Sequence, residues 1–483
     1  MTGHRTGRSR RTSDISDGGT VLKVKLLAST CATAALLAAC SGAGSAQSGA
    51  STGAVPSSSP TPSTAMAGVT PVAAPPGTGT GDTPVITASA SGYPTGYPVP
   101  PNFFGVHDST PLGGLGGWPL TPVGSLRVWD AGVSWRQIET APGKFDFSGL
   151  DAIVKSANAH RAETLIVLGQ TPSFYATKRL RTDVYGSGAA SMPKNLAVWK
   201  RYVSLVANRP GIKGNRYVQF QVWNEANVQE FWSGTPAQMA VLTKATREAL
   251  GKYRYLLAPA FVTRNSFQRT WMDRFYATRV GGQPVANYVN AVSLQLYPLP
   301  NGKPEDSMAI LAMDQKIMAK YRVNKPVWNT EVNYGLSGPH NVAPLSAPLQ
   351  AANVSRTYLL NASAGVKRVF WYSWGNTTIA NTRTTTANGY SLSAAGKAYA
   401  VTRSWLLNSQ MRGCTRNYLG TYTCTITYTG GVRRVFWNPT RVVTVAVVGA
   451  TTDQTVSGAT RKYSARTIRM RVGAVPIMIR SAR

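Results

Sequence analysis

The chain has 483 residues, 43% of them apolar, and carries 51 Lys and Arg against 19 Asp and Glu, a formal net charge of +32. That length and apolar share allow a large core and more than one domain, while the charge favours an anionic partner. The cations are scattered singly apart from the opening GHRTGRSRR, and no zinc-ligand spacing, arginine-rich helix or aromatic–basic motif accompanies them. Nucleic acid is therefore set aside in favour of a basic exterior facing an anionic envelope.

In chain order, Lys23 and Lys25 precede an apolar stretch from Leu26 to Ala39 that is too short to span a bilayer comfortably. Basic region, apolar core and small residues are the parts of an export signal, assigned to 1–40. Its end, LLAACSG, resembles the lipobox of bacterial lipoproteins, which implies lipidation of Cys40; a plain signal peptide cut nearby is the alternative. Either way the mature chain is expected outside the cell, on the outer face of the bacterial membrane or secreted. Residues 41–98 are Ser, Thr, Gly, Ala and Pro with almost no charge, and read as a disordered spacer.

Folded sequence is expected from 99 onward. Apolar runs at 103–107, 125–130, 164–169, 217–223, 253–259, 291–297, 326–331 and 367–374 alternate with amphipathic helical patterns. Helices are expected at 148–160, 196–207, 236–250, 268–280, 307–321, 347–364 and 393–407. Parallel strands covered by helices follow. Eight such units make a (β/α)8 TIM barrel over 99–405, and the absence of a Gly-rich dinucleotide fingerprint argues against an open doubly wound sheet. From 406 to 483 Thr, Val, Tyr and Gly alternate without helical spacing, which predicts a small antiparallel β-sandwich. Cys414 and Cys424 flank a short loop there, and export makes a disulfide between them the expected state.

In such a barrel the C-terminal strand ends share one mouth. Strand one offers His107 and Asp108; strand two Arg127, Trp129 and Asp130; strand three Gln170. Strand four offers Trp223, Asn224 and Glu225; strand six Gln295 and Tyr297; strand seven Trp328, Asn329 and Glu331; strand eight Trp371 and Trp374. Two carboxylates across a barrel suit glycosidic bond cleavage, in which one group donates a proton and the other stays ionised. Trp faces would stack on sugar C–H faces. Glu230, Phe231 and Trp232 would line an outer subsite or simply close a loop.

VWNEAN, VWNTEVNYG, SLRVWDAGVSWRQIETAPGKFDFSGLDAIV and VFWYSWGN, in this order and spacing, resemble clan A of the retaining glycoside hydrolases, family 39 above all and family 5 more distantly. The resemblance covers about residues 100–405. It implies Glu225 as general acid/base, Glu331 as nucleophile, Asn224 on the sugar 2-hydroxyl, Tyr297 beside Glu331 and Arg127 lowering the Glu331 pKa. It also implies Trp371 or Trp374 as a subsite floor. By their strand-end positions His107 and Trp129 join the candidate substrate-binding residues, with a satisfied strand-end residue as the alternative for His107. A salt bridge to Asp130 or Glu139 is the structural alternative for Arg127, and simple packing is the alternative for Tyr297 and each Trp. Gln295 departs from the family, where many members have His. The resemblance implies a glycan substrate, no cofactor and no metal, and a monomer is expected. A non-catalytic carbohydrate-binding surface lipoprotein is the competing function. The sugar, the linkage and endo or exo action are not legible.

Overall fold

The computed structural model describes residues 83–84, 98–108, 118–180, 183–335, 345–375 and 381–481. The export signal, Cys40 and most of the 41–98 spacer lie outside the described residues. Within that spacer Thr83–Pro84 pair antiparallel with Thr415 and Arg416.

Eight parallel strands close into a barrel: β1 Phe104–His107, β2 Ser125–Val128, β3 Glu163–Leu168, β4 Val218–Val222, β5 Leu256–Val262, β6 Ala291–Gln295, β7 Val327–Val332 and β8 Val369–Tyr372. Apart from the first residue of β3 and the last of β8 these strands are buried throughout, as strands covered on both faces must be. The covering helices are α1 Ser148–Ala159, α2 Leu196–Ala207, α3 Pro236–Leu250, α4 Ser266–Ala277, α5 Pro304–Lys320, α6 Ala347–Ser363 and α7 Ala394–Leu406. Local chemistry marks their ends. The Thr235 hydroxyl accepts from the Gln238 N–H, Pro236 occupies the first turn, and Gly251 closes α3 with a φ of +75°. Asn195 caps α2 and Ser393 caps α7 in the same way. On α3, Met239, Leu242, Thr243, Thr246 and Leu250 form the buried stripe that faces the barrel.

Alternation decides which side chains fill the barrel. Leu165, Leu257, Ala291, Trp328 and Phe370, one from each of five strands, pack together inside its lower half. Above them the interior turns polar, and the candidate site begins there.

After α7 the chain forms a β-module. A seven-stranded sheet contains Thr83–Pro84, β9 Gln410–Arg416, β10 Tyr422–Tyr428, β11 Gly431–Trp437, β16 Ile477–Ser481, β13 Ala450–Thr455 and β14 Thr460–Lys462, in that spatial order. The ribbon of β12 Val443–Val448 and β15 Thr467–Val472 packs on it through Phe436, Val447, Ile468, Met470, Val472 and Ile479. This is the expected antiparallel sandwich in small form. Cys414 and Cys424 stand opposite each other in the β9–β10 register and are bonded.

The inner face of the large sheet shares its core with the barrel. Met411, Cys414, Cys424, Ile426, Val435 and Met478 belong to the same apolar cluster as the helix layer. Polar contacts reinforce the joint. Glu305 on α5 forms a buried ion pair with Arg356 on α6 and accepts a hydrogen bond from the Trp437 indole at 2.8 Å. The Trp405 indole donates to Gln454 at 2.7 Å.

Candidate active site

The centre of the barrel mouth is Arg127, whose residue is fully buried. It lies in register with His107 on one side, and both side chains enter the barrel. Its guanidinium is saturated from several strands. Nε donates to Gln221 Oε1 at 3.1 Å, Nη2 donates to Asn224 Oδ1 at 2.7 Å, and Nη1 binds Glu331 Oε1 while lying 3.3 Å from His107 Nδ1. Neither structural alternative for Arg127 holds. Its ion-pair partner is Glu331, and the Glu139 carboxylate is occupied by the Trp135 indole, the Gly143 N–H and the Tyr175 hydroxyl.

Glu331 reaches this position through an irregularity in β7. The pairing with β6 steps from Leu294↔Asn329 to Gln295↔Glu331, so Thr330 is an extra residue. Such a bulge reverses the alternation of the strand. Trp328 fills the barrel floor, Asn329 turns outward to Asn361 on α6, and Glu331 turns inward again. Its Oε2 accepts from the Tyr297 hydroxyl at 3.1 Å, and His107 Nδ1 lies 3.5 Å from Oε1.

The strand-four stretch uses a different device. A regular continuation of β4 would send Trp223 inward and Asn224 outward. Trp223 instead adopts a left-handed φ of +62° and Glu225 one of +43°. Trp223 packs outward against Trp199 and Trp232, its indole donating to the Phe231 carbonyl at 2.7 Å. Asn224 then faces the mouth. Its Oδ1 accepts from both Arg127 and Gln295, the latter at 2.9 Å, which fixes the amide with its N–H groups as the donors left to the site. Asp130 and Gln170 at the ends of β2 and β3 are also left-handed, with φ of +57° and +63°. Each such residue costs about 1 kcal/mol or more, and their concentration around one opening marks it as a site maintained against strain.

The two Glu carboxyls respond in opposite directions to this environment. Both residues are 3% exposed. Burial, then the neighbouring Glu331 charge, lift the Glu225 carboxyl to about 8, while Arg264 and Arg127 oppose the rise. Burial works on Glu331 as well, but Arg127 foremost, with His107 and the Tyr297 hydroxyl, bring it below the ordinary carboxylate value. Asp130, whose carboxylate binds the Tyr185 hydroxyl, is raised by burial against the pull of His107.

Of the residues singled out from sequence, the structure brings together His107, Arg127, Asn224, Tyr297 and Glu331 by direct contact, and Glu225 by electrostatic reach. Trp371 and Trp374 turn away from the mouth, and Trp129 meets it only through Tyr185. Trp371 is fully buried and turns outward to Tyr334, because the inward positions of β8 are Phe370 and Tyr372. Trp374 packs on Tyr399 of α7. Trp129 is buried over Gly169 with its indole donating to Tyr185 at 2.8 Å. The inward aromatic of β8 at the mouth is Tyr372, partly exposed, whose ring meets His107 edge-on at 4.6 Å. Burial and the charges of Asp130, Glu331 and Glu225 raise its hydroxyl pKa well above the usual value.

Tyr185, Gln221, Arg264 and Tyr372 are site residues that sequence reasoning missed. The alternation of β8 from Phe370 onward was the available signal for Tyr372. Glu230 and Trp232 line a groove of about 430 Å³ with Asn227, Phe267, Gln268 and Trp271, whereas Phe231 packs inward on Val184, Val228 and Val262. Among the described residues no group of His, Cys, Asp and Glu is arranged to hold a metal ion.

No protein-family model matches the chain, and a search of curated proteins finds no match. Solved structures do match. A family 39 glycoside hydrolase from Bacteroides cellulosilyticus WH2 superposes with a TM-score of 0.57 at 17% identity, over 74% of this chain and 75% of that one. A glucosidase from Croceicoccus marinus gives 0.57 at 13% identity, over 81% and 98%. A family 39 β-xylosidase from Caulobacter crescentus gives 0.55 at 14% identity, over 81% and 98%. At these identities the likeness is one of architecture, and the chain shares the fold of these proteins.

Proposed function

We propose that the protein is a retaining glycoside hydrolase acting on an extracellular or cell-envelope glycan by double displacement. One observation carries the reading. Two buried carboxyls share one barrel mouth, and their surroundings push their pKa values apart, Glu225 up and Glu331 down. That division is what assigns an acid and a nucleophile within a carboxyl pair. Glu225, protonated at neutral pH, gives its proton to the leaving oxygen. Glu331, kept ionised by Arg127, attacks the anomeric carbon, and Glu225 as base then activates the water that releases the sugar. Asn224 donates to the 2-hydroxyl. The separation of the two carboxyls is expected to be about 5–5.5 Å, as retention requires. The glycosidase names of the superposed structures support the reading.

The test is Glu225→Gln. Turnover of substrates with poor leaving groups is expected to fall about 10²- to 10⁴-fold, while aryl glycosides with acidic leaving groups keep most of their kcat/KM but lose kcat, because release of the sugar still lacks its base. The wild-type kcat/KM should fall along an alkaline limb near pH 8, where Glu225 ionises, and the variant should lack that limb. The linked stability has the same sign. A carboxyl raised in the folded state favours folding below its unfolded value, and this contribution is lost as pH rises to about 8. Equal loss on all leaving groups with an unchanged pH profile would remove Glu225 as the acid. A sugar-binding protein without catalysis would hold glycan and release no product.

The lipobox-like end of the apolar segment further supports a lipid anchor at Cys40 and a position on the outer face of the cell membrane. Cys40→Ser should move the protein from the membrane fraction to the medium; unchanged fractionation would exclude the anchor.

A further inference from the structure

Arg264 stands two residues beyond β5, on the same face of the barrel as Glu225. The segments carrying the two are stitched together. Ala226 N–H donates to the Ala260 carbonyl at 3.1 Å, and Asn227 accepts from the Val262 N–H at 3.1 Å while donating to the Gln268 carbonyl at 3.1 Å. The backbone at Arg264 is held from behind. Arg269 donates to the carbonyls of Thr263 and Arg264 at 2.7 and 3.1 Å, and the Thr263 hydroxyl donates to Asp314 at 2.6 Å.

The side chain is treated differently. Arg264 is 9% exposed, yet its Nε and Nη1 are buried with no hydrogen-bond partner. Arg127, fully buried, has each guanidinium nitrogen engaged. A buried cation lacking partners is costly, and the anion that completes it is not supplied by the described residues. Glu225 feels the charge, but its carboxyl makes no hydrogen bond to Nε or Nη1. The fork of N–H groups on Arg264 matches the paired oxygens of an oxyanion.

We propose that Arg264 binds an oxyanion of the substrate, a uronic acid carboxylate or a sulfate ester on a sugar next to the scissile bond, so that the enzyme acts on an acidic glycan. This rests on the hydrolase reading above. The exterior agrees with it. Residues 406–483 hold twelve Arg and Lys against the single acid Asp453, which is itself paired with Arg461. On β15, Arg469 and Arg471 face outward between the buried Ile468, Met470 and Val472. A polyanion would be drawn to such a surface.

The experiment measures kcat/KM on matched neutral, uronic acid and sulfated aryl glycosides and oligosaccharides for wild type, Arg264→Met and Arg264→Lys. It also measures binding of the same oligosaccharides to Glu331→Gln by calorimetry. Wild type should prefer one acidic member over its neutral match by about 10- to 100-fold. The uronide and sulfate arms say which anion is taken. Arg264→Met should collapse that ratio toward one, and Arg264→Lys should give an intermediate ratio. If Met fails to fold, the Lys ratio and the wild-type preference decide. A wild-type preference for neutral sugars, or an acidic-to-neutral ratio unmoved by either variant, overturns the proposal and leaves the hydrolase intact. No turnover of any glycoside, acidic or neutral, overturns the hydrolase reading and this proposal with it.

Discussion

Glu331→Gln is expected to yield a folded protein whose kcat is lower by about four orders of magnitude or more. The amide keeps the shape of the carboxylate but cannot attack the anomeric carbon, and it offers Arg127 no charge. Loss at all leaving groups sets this variant apart from Glu225→Gln. A second measurement makes the result specific. Glu331→Ala opens space behind the sugar, and azide should enter there to give a glycosyl azide of inverted configuration with activated substrates, whereas azide acting in Glu225→Ala should give the retained anomer. If Glu331→Gln kept wild-type turnover on the natural glycan, the double-displacement assignment would be abandoned.

Arg127→Met is expected to produce the other large effect, on activity and stability together. The guanidinium links β2 to β4 and β7, and its removal leaves a carboxylate, two amides and a His ring without their shared partner in a buried cluster. Breaking a buried ion pair from one side costs about 3–5 kcal/mol, readable as a lower denaturant midpoint. Without its main counter-charge Glu331 should titrate higher, and the acidic limb of kcat/KM should move upward. The stability term runs the opposite way from that of Glu225. A carboxyl lowered in the folded state stabilises above its unfolded pKa, and that contribution is lost as pH falls through the folded value. The wild-type protein should therefore lose stability toward acid more steeply than the Arg127→Met variant. Identical acid limbs would show that Arg127 has no electrostatic role.

The barrel was legible because its signals are local. Thr235 with Pro236 and Gly251 bracket α3, and Asn195 opens α2, so both helices run over the expected residues. Strand five shows the opposite case. Pro259 reads as a strand end, since it has no N–H to give a ladder. The strand instead carries on to Val262, with its pairing to β6 shifting register near this point. That displacement of three residues hid Arg264, which a correctly placed strand end would have exposed. The tryptophans mislead for another reason. Apolar size suggests a sugar platform, but facing is set by register, and in β8 the inward register belongs to Tyr372. Tyr185 lies in the long connection between β3 and α2, where no periodicity announces a side chain that meets Asp130 and Trp129. Glu225 and Glu331 were visible as types at strand ends, but the left-handed turns and the bulge that aim them are backbone events that side-chain patterns do not encode.

The extra residue in β7 has a consequence for how this protein can change. Because Thr330 resets the phase of the strand, Glu331 depends on residue count as much as on residue identity. Conservative exchanges along Val327–Val332 preserve the count and leave the carboxylate aimed as it is. Loss or gain of one codon there would rotate it toward the helical shell and strand Arg127 without its anion, which makes this short segment tolerant of spelling but intolerant of frame.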